Sequence, residues 1–208
     1  MPNILCIETS IGKCSVALND DLVEADEMFM QSEVLLPLMQ EILERNHIDY
    51  KDLDVIACSL GPGSFTGIRI GIAAARGVKK IFSGIGLLGV STLELMVNEL
   101  QLPVVEKEIL AVLNASGGDL YAQDLRPDGS LLGDIYLLPQ EELEARREGR
   151  LLVTEQSSFG HPASISVNIT ARTLLRKANK IISEGRQEHY QNIWPIYIKE
   201  PNITTQRS

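Results

Sequence analysis

"NILCIETSIGKCSVALNDDLVEADE", residues Asn3 to Glu27, decides the fold. An apolar run ends at Glu8 and breaks at Thr9-Ser10-Ile11-Gly12; "KCSVAL" alternates in part, and a polar turn precedes "DLVEADE". Short apolar runs parted by tight turns predict three consecutive strands, a meander. Working outward, "SEVLLPLMQEILERN" predicts a helix from about Ser32 to Asn46, with Ser32 as N-cap, and "LDVIACSLG" predicts a buried strand. The glycine-rich stretch "SLGPGSFTGIRIGIAAARGVKKI", Ser59 to Ile81, opens a second helix from about Thr66 to Phe82. A strand in "IGLLGVS" and a helix in "TLELMVNEL" follow.

Beyond the polar, proline-bearing "QLPVVEKE" the pattern restarts. "ILAVLNAS", "DLYAQDL" and "LLGDIYLL" read as strands around a Pro127-Asp128-Gly129 turn. "PQEELEARRE" reads as an acidic helix with Pro139 in its first turn, "RLLVTE" as a strand and "ITARTLLRKANKIIS" as a long helix. The order β-β-β-α-β-α-β-α, echoed as β-β-β-α-β-α, is that of the ribonuclease-H-like unit. We therefore expect an α/β protein of actin-like fold: two ribonuclease-H-like subdomains with central mixed sheets, residues 1–102 and 103–208, the second truncated. The tail 190–208, with the only tryptophan in "NIWPIYIKEP", is expected to pack back on the body.

Composition narrows the function. A chain of 208 residues that is 44% hydrophobic can build a substantial core. No stretch reaches the ~20 apolar residues of a membrane helix, and Asn3 and Glu8 interrupt an N-terminus without a basic start, so a cytoplasmic protein without membrane contact is expected. Cys6, Cys14 and Cys58 lack Cys-x-x-Cys spacing and read as buried thiols. A net charge of −9 repels a nucleic-acid backbone, so direct nucleic-acid binding is not expected.

The glycine loop fails as a Walker A motif, because the second glycine would fall on Thr66 and Ile68-Arg69 stand where lysine and a hydroxyl belong. Gly61, Gly63 and Gly67 also miss dinucleotide-binding spacing by one residue. What survives is a helix N-terminus with Ser64 and Thr66 near free amides, an anion site or a helix cap. Glu8, Thr9 and Ser10 at the first strand's end form the kind of acidic, hydroxyl-rich hairpin that actin-like phosphotransferases place beside a γ-phosphate; local turn hydrogen bonds are the alternative. Glu8, Thr9, Ser10, Gly61, Gly63, Ser64 and Thr66 are thus the candidate nucleotide or anion site. "CSLGPG" carries no carboxylate for a ribonuclease-H metal centre, His47, His161 and His189 are scattered, and no nucleophile elbow occurs, so no catalytic or metal residue is assigned. Glu141, Glu142 and Glu144 read as a solvated helix start.

The two early helices carry more apolar circumference than a lone surface helix needs. On the second, Arg69, Arg76, Lys79 and Lys80 share an arc of roughly 100°, with Gly67, Ile70, Gly71, Ala74, Val78 and Ile81 opposite. On the first, Val34, Leu35, Leu36, Leu38, Met39, Ile42 and Leu43 spread over roughly 200°. One flank, Leu36, Met39 and Leu43, is left for a partner or for the second subdomain. Gly67 and Gly71 read as a notch for close helix approach. The candidate partner interface is Leu36, Met39, Leu43, Gly67, Ile70, Gly71, Ala74 and Val78.

"ILCIETS", "CSVAL", "SEVLLPLM", "GPGSFTGIRIGIAAARG", "GVSTLE" and "PIYIK", in that order, resemble the bacterial TsaB (YeaZ) family across nearly the whole chain. The resemblance implies a shortened, noncatalytic relative of TsaD, the ATP-dependent subunit that builds the threonylcarbamoyl group onto adenosine in certain tRNAs. It implies docking through the first two helices on a TsaD-like subunit or, when alone, on a second copy, with a TsaE-like ATPase as a further partner. ATP enters only at the level of the complex. Where the catalytic relative holds metal with His-Leu-Glu-Gly-His, this chain has Thr92, Leu93, Glu94, Leu95 and Met96. Gln31 and Asn114-Ala115-Ser116 depart from the family's histidine and "DAR". The competing readings are an ATP-binding phosphotransferase built on the Glu8 hairpin and, from the family's older label, a glycoprotease-like peptidase.

Overall fold

The meander of the computed structural model comprises β1 (Ile4–Glu8), β2 (Lys13–Leu18) and β3 (Asp21–Met28). Residues 2–28, 30–100, 106–115, 117–156, 159–185 and 193–198 are described. β1 is buried throughout because it lies mid-sheet, antiparallel to β2 and parallel to β4 (Val55–Ser59). Its side chains alternate between two cores: Leu5 and Ile7 face one, Ile4 and Cys6 the other. α1 (Gln31–Arg45), α2 (Phe65–Ile81), β5 (Gly86–Val90) and α3 (Thr92–Glu99) complete the first half, with strand order β3-β2-β1-β4-β5. α1 begins one residue before Ser32, which therefore is no N-cap; Met30 takes that place without a side-chain bond, its carbonyl accepting from Glu33 and Val34 N–H.

The second half holds β6 (Ile109–Asn114), β7 (Asp119–Leu125), β8 (Tyr136–Pro139), α4 (Leu143–Arg146), β9 (Leu151–Glu155), β10 (Ile165–Val167) and α5 (Ala171–Ser183). Its order, β10-β9-β6-β7-β8, repeats the first sheet strand for strand. The sequence pattern misses β10, a three-residue edge strand with Ile165 and Ser166 exposed. The truncation lies in the helices instead: α4 has 4 residues where α1 has 15, and the described residues between β9 and β10 include no helix where α2 would stand. Pro139 ends β8, paired with Asp119, and a 3-10 turn at Gln140–Glu142 precedes α4.

α1 and α2 cover the outer face of the first sheet, over Leu5, Ile7, Val16 and Ile56. Between the sheets the halves exchange helices: α5 packs on β1, β2 and β4, while α3 packs on β6 and β9. One continuous core, with Ile4, Leu88, Leu93, Met96, Ala111, Val153 and Leu174 among its members, joins both halves. Lys177 of α5 bonds Glu94 of α3 at 2.7 Å, and Thr173 Oγ1 donates to Glu99 at 2.6 Å. This is the doubled ribonuclease-H-like, actin-like arrangement. All three thiols are free and buried. The expected junction near residue 103 falls outside the described residues, as does His189. Among the described residues, no helix is long and apolar enough to cross a membrane.

Candidate functional site

The β1–β2 hairpin is closed by its own chain. Glu8, Thr9 and Ser10 are at most 1% exposed. Glu8 Oε1 accepts from Ser10 N at 2.7 Å and Ser10 Oγ at 2.5 Å, and Thr92 Oγ1 donates to Ser10 Oγ at 3.0 Å. Burial pushes the Glu8 carboxyl above its ordinary range, and the Ser10 bonds hold it partly back. Over the hairpin lies the glycine loop: Ser64 N–H donates to Ser10 O at 2.6 Å, and Gly61 O accepts from Thr92 N–H at 2.8 Å.

Three glycines are required by this contact. A Cβ on Gly63 would stand 2.3 Å from Ser10 O, one on Gly67 2.1 Å from Thr9 O, and one on Gly71 2.4 Å from Thr9 Oγ1. The start of α2 therefore presses directly on the hairpin. Ser64 caps α2, its Oγ accepting from Gly67 N–H at 3.1 Å, and Thr66 is exposed in the first turn. Of the two readings open for these residues, the structure contains the local one: Thr9 and Ser10 lie beneath backbone of the same chain, Glu8 is engaged in turn hydrogen bonds, and Ser64 serves as the cap.

The expected partner surface changes too. Met39 (0% exposed) and Leu43 (3%) are buried in the α1–α2 core, because the wide arc of α1 is shared between the sheet and α2. Gly67 and Gly71 face the hairpin, so they form no notch for an outside helix. Of the eight expected residues, Leu36 (62%) remains exposed, and Ile70, Ala74 and Val78 are partly so. The open face of α2 also holds Ala73, Gly77 and Ile81, the last 76% exposed.

The residues that sequence reasoning missed lie at the edge of this face. Phe65 is 54% exposed, with the Arg69 guanidinium 3.6 Å over its ring. Arg69 Nε donates to Tyr197 Oη at 2.9 Å, and Arg76 stacks 3.9 Å over Trp194. A signal for this existed. Arg69 and Arg76 are two helical turns apart, about 10.5 Å, and Trp194 to Tyr197 spans about 10 Å in an extended chain.

Thr92 and Met96 of α3, the positions that the resemblance sets against the histidines of a catalytic relative, are fully buried, and Glu94 between them pairs with Lys177. Among the described residues, no three His, Cys, Asp or Glu side chains are grouped to hold a metal. His47 is exposed, and His161 bonds Glu144 at 2.7 Å. Gln31 is buried, Asn114 ends β6, and Ser116 lies outside the described residues.

The model of the TsaD family, described as tRNA N6-adenosine threonylcarbamoyltransferase, matches residues 30–193. The chain is 36% identical over 129 residues to "tRNA threonylcarbamoyladenosine biosynthesis protein TsaB" of Escherichia coli strain K12, covering 60% of this chain and 55% of that protein. To the protein of the same name from Buchnera aphidicola subsp. Acyrthosiphon pisum it is 30% identical over 168 residues, covering 75% of this chain and 76% of that one. The chain thus spans little more than half the length of the Escherichia coli relative. The solved structure "YeaZ from Pseudomonas aeruginosa" shares the fold, with a TM-score of 0.77 over 95% of this chain and 100% of that one at 22% identity. With the family model covering most of its length and a TsaB relative aligned over three quarters of both proteins, this chain belongs to the TsaB family, within the wider family of TsaD.

Proposed function

We propose that this chain is a noncatalytic, cytoplasmic subunit in the synthesis of threonylcarbamoyladenosine in tRNA. It docks through α1 and α2 on a TsaD-like catalytic subunit and holds that subunit in its working arrangement. The names of its relatives supply the pathway. One observation carries the role: α2 seals the hairpin that phosphate chemistry would need, while its outer side leaves Ile81 and neighbouring small and apolar residues open. A helix closed on the inside and apolar on the outside suits association better than turnover.

A standard specific interface buries roughly 800 Å² on each partner. Leu36, Ile70, Ala74 and Val78, with Ala73, Gly77 and Ile81, form the centre of such a face. The same face joins two copies when the subunit is alone. A TsaE-like ATPase acts on the assembled pair, and ATP is bound by the complex.

The test is size-exclusion chromatography with light scattering, on the chain alone and mixed with the TsaD-like protein of the same cell. A 1:1 complex is expected from wild type and none from Ile70→Asp; a wild-type mixture that elutes as separate species refutes the proposal. Phosphotransfer by the isolated chain has its own readout. Magnesium-ATP at a hundredfold over its Kd would add about 2.7 kcal/mol and raise the melting temperature by several degrees. No shift is expected at millimolar nucleotide.

A further inference from the structure

Residues 193–198 run beside α2 and are fixed to it at several points. Ile193 is buried with the core beneath α1 and α2, and Ile196 N–H donates to Leu60 O at 2.8 Å. Trp194 lies under the Arg76 guanidinium, and Tyr197 receives a hydrogen bond from Arg69, whose guanidinium also lies over the neighbouring Phe65 ring. The segment is anchored, yet Trp194 stays 60% exposed and Tyr197 56%, beside a half-exposed Phe65. Rings whose task was to cover the core would be turned inward, as Ile193 is.

The charge around them has a direction. α2 contains no carboxylate, and Arg69, Arg76, Lys79 and Lys80 make no ion pair among the described residues, in a chain of net charge −9. Each of the two arginines is already stacked on an aromatic ring, so its guanidinium is oriented before any partner arrives and loses less freedom on binding. Exposed tryptophan, tyrosine and arginine on an ordered scaffold are the composition of an interface hot spot. On the helical wheel Arg69 and Arg76 lie together on one side of Ala73, with Gly77, Ile70 and Ile81 beyond it.

We infer that the Trp194–Tyr197 strap completes the docking face: the catalytic partner seats on the strap as well as on α2, and presents carboxylates to Arg69 and Arg76. This rests on the proposed function and goes beyond it in naming a segment outside the two helices and the chemistry of the surface that meets it. Charge complementarity selects the occupant, an acidic-rimmed apolar surface on the TsaD-like subunit.

The test is titration calorimetry of the full chain against the purified TsaD-like subunit at low and high salt. Trp194→Ala/Tyr197→Ala is expected to weaken binding roughly tenfold or more, with the fold unchanged by circular dichroism. Arg69→Glu/Arg76→Glu is expected to weaken it as much and to remove most of the salt dependence; it keeps the inference testable if the alanine variant fails to fold. Ile70→Asp reports on the α2 face alone. If both double variants bind like wild type while Ile70→Asp does not bind, the strap inference is overturned and the proposed function stands. Should wild type fail to bind, or Ile70→Asp bind unchanged, the docking reading falls and the strap with it. Strap variants that alter only self-association would assign the surface to a second copy and overturn the inference.

Discussion

Gly67→Ala should destabilise the protein although it replaces glycine by the best helix former. A Cβ at this position would stand 2.1 Å from Thr9 O and 3.1 Å from Ser64 Oγ. The Thr9 carbonyl belongs to the hairpin backbone, whose next residue accepts a 2.6 Å bond from Ser64 N–H, so the obstacle cannot rotate aside as a side chain would. Restoring van der Waals distance means moving α2 or the hairpin by about 1 Å, an overpacking that costs about 1–3 kcal/mol. Helix propensity returns at most about 1 kcal/mol. With backbone on both sides, the net loss falls near the upper end, at about 2 kcal/mol. That lowers the melting temperature by about 4–8 °C for a chain of this size. The assay is thermal and urea unfolding by circular dichroism, with Gly77→Ala as the internal comparison. Gly77 has nothing within 4 Å of its Cβ position, so that variant feels propensity alone and should gain up to about 1 kcal/mol. Opposite signs on one helix are the prediction. A Gly67→Ala protein as stable as wild type would refute the view that the glycines serve the hairpin.

Substitutions at two further places, Glu8 and the Lys177–Glu94 pair, probe the buried polar groups. Because the folded-state pKa of Glu8 is raised by burial, its contribution to stability is most favourable below the unfolded carboxylate pKa and declines as pH rises toward the folded value. Glu8→Gln should therefore match or exceed wild type in urea melts at pH 8 and gain less at pH 5, its amide oxygen able to go on accepting from Ser10 N and Ser10 Oγ; a loss above about 1 kcal/mol at pH 8 would contradict this. Lys177→Met strands Glu94, whose side chain is 11% exposed, and should cost about 3 kcal/mol, while adding Glu94→Leu should recover most of it, as a double-mutant cycle in denaturant will report.

Much of the fold was legible because strand and helix periods differ. The strands and α-helices of the first half lie within a residue or two of their expected places, since each apolar run or stripe is bounded by a polar turn. β10 was not legible, because three residues with two exposed offer no period to read. The candidate site was read on the right elements with the wrong neighbours. A helical wheel shows that Gly67 and Gly71 are bare; only the sheet beneath shows that Thr9 fills the space. The arc of α1 was correctly seen as too wide for one contact, but two contacts within the chain, sheet and α2, account for Met39 and Leu43. The tail was expected to pack back on the body, but its seat along α2 was not legible, because its partners are over a hundred residues away, as the separation of 128 between Arg69 and Tyr197 illustrates.

The exchange of α3 and α5 bears on biosynthesis. The first sheet is finished at Val90, yet the helix that lies across its inner strands begins only at Ala171. At ribosomal rates of about 5–20 residues per second, the nascent chain carries a bare oily sheet for roughly 4–16 s before its cover emerges. Cleavage between the halves would leave two fragments that each lack a lid made by the other, so neither should persist alone, and mixing them should restore what each is missing.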